Sequence, residues 1–98
     1  MKTTQQSAEK PFETAEDACE VYVDSVHVAT QLYGSTLYLG KLREGEKPLA
    51  IVVAKVSPQM LKALGLIINK HVREYEQGVG LIALPKQLLH DLGLEEQI

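Results

Sequence analysis

Apolar and polar positions change rhythm several times along the chain, and each rhythm predicts a different element. From Cys19 the period is two: Val21 and Val23 fall on one face, Val26 and Val28 on the other, so the apolar phase flips across Asp24-Ser25. One added residue re-aims everything after it, which predicts a β-bulge inside a single bent strand over about residues 19–32. Tyr33-Gly34-Ser35 supplies turn chemistry, and alternation resumes over residues 36–42 with Leu37 and Leu39 pointing together, so the pair reads as a hairpin. The charged, glycine-centred loop Arg43-Glu44-Gly45-Glu46-Lys47 follows, and Pro48 closes it before residues 49–56. In that third run both parities are apolar, the pattern of a strand covered on both faces.

At Ser57-Pro58 the period lengthens. A hydroxyl residue at the N-cap and proline at the first helical position, where its missing N–H costs nothing, predict a helix over residues 58–77. With Met60 at 0° and about 100° per residue, Leu61, Ala63, Leu64, Ile67, Ile68, His71, Val72 and Tyr75 fall between about 300° and 120°. Lys62, Gly65, Asn69, Arg73 and Glu76 fill roughly 140° to 220°, and Leu66 sits among polar residues at about 240°. The apolar face thus spans about half the cylinder, whereas one small sheet needs a stripe of only ~100° or slightly more. Two readings compete for the excess: the C-terminal segment folds back over it, or it forms a helix-to-helix seam in a two-fold homodimer. The seam is favoured, with Leu64, Ile67, Ile68, His71 and Tyr75 as its candidate residues. Gly78-Val79-Gly80 ends the helix, residues 81–84 form a short strand or strap, and residues 85–92 form a short helix closed by Gly93 with Leu88, Leu89 and Leu92 in its stripe.

The elements add up to an α+β fold: a three- or four-stranded antiparallel sheet, one long helix packed on it and a short C-terminal helix. Ninety-eight residues suffice for one core, placed at residues 19–94, with a frayed end at 95–98. Residues 1–18 are polar apart from Phe12 and read as a flexible acidic arm, or as a segment that orders on a partner through Phe12 and a turn around residues 13–18.

Charge adds a location. The net charge is −3, and it resides in residues 1–20, where Lys2 and Lys10 face Glu9, Glu13, Glu16, Asp17 and Glu20; the remaining eight basic and eight acidic side chains cancel. Phosphate neutralisation needs a basic surplus, so a neutral body argues against nucleic acid and anionic membrane. The single cysteine, Cys19, fits a reducing compartment, and no apolar run reaches the roughly twenty residues that cross a bilayer, so a cytoplasmic location is expected.

Tyr22-Val23-Asp24-Ser25-Val26-His27-Val28 leading to Tyr33-Gly34-Ser35-Thr36-Leu37-Tyr38-Leu39-Gly40, then Val56-Ser57-Pro58 and Tyr75-Glu76, resembles a small prokaryotic family known only as domain of unknown function 3467. The resemblance covers about residues 22–80. Asp24 stands where that pattern often has asparagine, Gly34 where it often has aspartate, and Leu39 where it often has phenylalanine. It implies a small α+β fold and brings no activity, cofactor or catalytic residue. A fainter likeness runs from Gly80-Leu81-Ile82-Ala83-Leu84-Pro85 to Leu92-Gly93-Leu94, similar to the strand and short helix of AbrB-type swapped-hairpin transcription factors. Those domains continue into a Gly-Asp turn, where this chain has Glu95-Glu96-Gln97. The likeness implies a DNA-binding regulator or antitoxin as the alternative function, with Lys41, Arg43, Lys47 and Lys86 near its candidate loops.

Few residues carry a chemistry. His71 lies inside the apolar helix face, where a neutral ring hydrogen-bonded to a carbonyl or to Tyr75 is the ordinary expectation. Paired with Glu74 at i,i+3 it offers half a metal site completed by a second subunit, the second alternative, although bundle sites need several inward carboxylates. His27 points away from the valine face, and His90-Asp91 are adjacent on a helix and do not face each other. Cys19 has acidic neighbours, the wrong field for a nucleophile. Asp24, Glu74 and Glu76 read as surface carboxylates. No phosphate cradle, Ser/His/Asp order, CxxC or HExxH occurs. The sequence therefore assigns no catalytic, cofactor-binding or metal-ligating residue, and predicts a non-catalytic homodimeric module with an unidentified protein partner.

Overall fold

The structure, a computed structural model, describes residues 12–95. Three strands, β1 (Ser25–Gln31), β2 (Gly34–Arg43) and β3 (Glu46–Val56), precede a long helix α1 (Pro58–Gly78) and a short helix α2 (Lys86–Asp91). The strands form an antiparallel meander in the order β1-β2-β3, so the α+β class and the paired long and short helices are as the sequence predicts.

Both hairpins turn on two residues. Gln31 pairs with Gly34 and Arg43 with Glu46, which leaves Leu32-Tyr33 and Glu44-Gly45 as the loops. Gly45 has φ 72°, a conformation glycine adopts without steric cost. Arg43 ties this second turn together: Nε donates to the Lys47 carbonyl at 3.0 Å and the guanidinium meets Glu46 at 3.3 Å. The turn expected at Tyr33-Gly34-Ser35 therefore sits one residue earlier, and β3 starts at Glu46, with Pro48 inside it. Proline is tolerated there because the ladder is irregular between Lys41 and Arg43 and β3 lies at the sheet edge.

The first strand is shorter than expected: residues 19–24 stand outside the ladder. The ladder begins at Ser25, opposite Gly40, and runs without a register shift, so the bulge expected inside a longer strand is not part of it; just before it, Asp24 donates its amide to the Gly40 carbonyl at 3.0 Å. Between β2 and β3 the register passes over Ile51, pairing Leu39 with Val52 and Gly40 with Ala50. This squeezes Gly40, which is buried: a Cβ there would lie 2.3 Å from the Leu49 carbonyl oxygen.

Ser57 caps α1 as its sequence indicates, its Oγ accepting from the Met60 amide at 3.1 Å, with Pro58 opening the helix. The helix ends at Gly78, where Val79 donates to the Tyr75 carbonyl at 2.7 Å. Residues 81–84 form no strand; they are a strap, held at one point by the Ile82 amide donating to Glu76 Oε2 at 3.0 Å. At the end of α2, Leu94 donates to the Leu89 carbonyl at 2.8 Å and Gly93 to the His90 carbonyl at 3.1 Å. With Gly93 at φ 71°, these two bonds form a Schellman close, as the Leu92-Gly93 pattern predicts.

Among the described residues the buried core reduces to Leu89 and the polar Ser35 with Gly40. No residue of α1 is buried; only Leu61, Ala63, Leu64 and Glu76 reach intermediate exposure. The third run is not covered on both faces: β3 is an edge strand, with Leu49, Ile51 and Val53 exposed and Val52, Ala54 and Val56 half-buried. Apolar residues on both parities report what a strand needs covered, not that the chain supplies the cover.

Candidate interaction surface

The register sorts the sheet into two faces, because directly paired residues point the same way. Val26, Val28, Leu37, Leu39, Val52 and Ala54 share one face; His27, Tyr38 and Val53 share the other, where the His27 and Tyr38 ring centroids lie 5.9 Å apart. On this second face a shallow hollow of about 530 Å³ opens over Ala29, Gly40 and Ala50, bounded by Pro48 and by Leu92 at the C-terminal cap of α2. The hollow exists because three small residues from three strands, two alanines and a glycine, meet there, a juxtaposition that needs the register and so escaped the sequence pattern.

On α1 the five predicted seam residues share one side of the helix, and four of them are exposed. Ile67 is 54% exposed, Ile68 53% and Tyr75 50%, while Leu64 is half-buried. The fold-back alternative fails on the same observation: the strap that was to roof the helix leaves Leu81, Ile82 and Leu84 themselves exposed. His71 is also open to solvent, its side chain 72% accessible, and its Nδ1 lies 3.5 Å from Glu74 Oε1. The ring thus lacks the burial expected of it, and its near neighbour is the carboxylate rather than Tyr75. Among the described residues no three His, Cys, Asp or Glu side chains cluster to hold a metal ion.

Several further titratable groups act as ties within the chain. Asp24 Oδ1 accepts the Leu42 amide at 2.8 Å, and Glu76 accepts Ile82, so two of the three carboxylates read as surface charges are backbone staples. His90 Nδ1 and Glu95 Oε2 are 2.6 Å apart, and this hydrogen bond, with the carboxylate charge, raises the imidazole pKa above its ordinary value. Gln87 Nε2 donates to Asp91 Oδ1 at 2.8 Å, and the Asp91 charge adds a smaller upward push on the His90 pKa. Cys19 is exposed, its Sγ 3.8 Å from the Asp17 carbonyl oxygen. Of the four cations near the candidate DNA-facing loops, Arg43 is occupied by Glu46 and Lys47. Among the described residues no helix is long and apolar enough to cross a membrane.

No family model, curated protein or solved structure matches this chain. The apolar surface must therefore be read by its own chemistry.

Proposed function

We propose that the chain is a non-catalytic binding or accessory module of the cytoplasm that works as a homodimer, with the apolar side of α1 as the seam. One observation carries this reading: twenty-two large apolar side chains are exposed among the described residues while a single one, Leu89, is buried. Scattered apolar residues on a surface are ordinary, but a contiguous set along a helix with no buried residue of its own is not. Fully burying a Leu, Ile or Met side chain is worth ~1.5–3 kcal/mol; Met60, Ile67 and Ile68, each about half exposed, forgo roughly half of that in the single chain.

A second copy of the same helix is the cover that symmetry supplies most simply, since a two-fold contact sets the exposed Met60, Ile67, Ile68, Val72 and Tyr75 against themselves. A neutral body sets no net charge between the copies. The structural roles of Asp24, Glu76 and His90 support a binding rather than a catalytic module, since the chain's well-placed polar groups are spent on its own backbone and helix end.

The test is the concentration dependence of unfolding. For a dimer whose folding is coupled to association, each tenfold rise in protein concentration adds about 1.4 kcal/mol of apparent stability per dimer and raises the midpoint. A midpoint constant over a hundredfold range removes the proposal.

A further inference from the structure

We infer that the second copy also extends the sheet: two β1 strands pair antiparallel about a two-fold axis at Val28, giving one continuous six-stranded sheet. This rests on the homodimer reading and deepens it by naming a contact surface. Among the described residues the sheet has two open edges, and they differ in how they are guarded. β3 carries Glu46, Lys47, Pro48 and Lys55 and two register irregularities, the devices that keep an edge from accepting another strand. β1 reads Ser-Val-His-Val-Ala-Thr-Gln, with no proline, no lysine and no carboxylate, and its pairing with β2 is regular from end to end. An unguarded, regular edge of seven residues rich in β-branched side chains is a template for one more strand.

The edge also suits itself. Centred on Val28, antiparallel pairing brings Val28 opposite Val28 of the partner subunit, Val26 opposite the partner's Thr30 and Ser25 opposite the partner's Gln31, and engages all seven residues with no carboxylate or lysine in any pair. Val26 and Val28, 44% and 41% exposed in the single chain, then continue the Leu37–Leu39 face across the axis. A two-fold axis normal to the sheet keeps both copies of α1, which contacts β2 and β3, on the same side of the extended sheet.

Amide hydrogen exchange on the full chain tests this, with the mass measured by light scattering in the same buffer. A strand at a free edge bonds only alternate amides, whereas a strand paired on both sides bonds them all. The expected result is a dimer in which every amide from Val26 to Thr30 is slow to exchange. Oxidation of a Cys19→Ser chain carrying Val28→Cys is then expected to give a covalent dimer, and one carrying Val53→Cys to stay unlinked. Dimeric mass with alternating fast amides in β1 and no link through position 28 overturns the strand pairing and leaves the seam standing. Monomeric mass overturns both.

Discussion

The Asp24 carboxylate accepts the amide of Leu42 at 2.8 Å across the far end of the first hairpin, while the Asp24 amide itself donates to Gly40. Asp24 lies one residue before the regular ladder, and its side chain supplies the acceptor that a paired backbone would have offered. Asparagine carries the same Oδ1 acceptor without the charge. Asp24→Asn is expected to change stability by less than about 0.5 kcal/mol, and Asp24→Ala to cost about 1 kcal/mol. Urea denaturation checks both; equal losses for the two variants would show that the charge, not the acceptor, matters.

Two glycines are predicted to respond in opposite directions to alanine. At Gly40 a Cβ would collide with the Leu49 backbone, which cannot yield without parting β2 from β3, so Gly40→Ala is expected to cost 3 kcal/mol or more, about the upper end of overpacking effects. At Gly65, mid-helix with nothing within 4 Å of the added atom, Gly65→Ala is expected to gain about 0.5–1 kcal/mol. Thermal melts of both variants decide it. A destabilising Gly65→Ala would mean that the polar side of α1, too, is packed against something.

The His90–Glu95 pair predicts a pH response at the C-terminal end. Because the folded pKa lies above the unfolded value of about 6.5, protonation favours the folded arrangement. Its contribution is fully present below about pH 6.5 and fades as pH rises through the folded value. Both groups are exposed, so the effect is local. Proton NMR of the His90 ring is expected to give a midpoint above 6.5 that falls back toward it in Glu95→Gln; an unchanged midpoint in that variant contradicts the pairing.

How far the sequence could be read follows from the range of each interaction. Ser57-Pro58 and Gly93 announced the start of α1 and the close of α2 because a cap is decided within a few residues. The strand periods gave the meander for the same reason. The staples of Asp24 on Leu42 and Glu76 on Ile82 were invisible: neither carboxylate's partner is fixed until the hairpin closes or the strap folds back. Gly40 is a further case, since its crowding arises only from the register that passes over Ile51. The β3 pattern misled, because hydrophobicity on both faces marks surface to be covered and is silent on whether the same chain covers it. On α1 that silence was itself informative: an apolar arc wider than the sheet could use is the arc left bare.

The central claim concerns that arc, and the mass of the native chain in solution tests it most directly. Light scattering at micromolar concentration is predicted to give about twice 10.8 kDa, with Ile68→Glu shifting the mass to one chain or unfolding it and Leu66→Glu, on the polar side, leaving it unchanged. A mass of 10.8 kDa at every concentration, with a cooperative melt and no response to Ile68→Glu, would contradict the account.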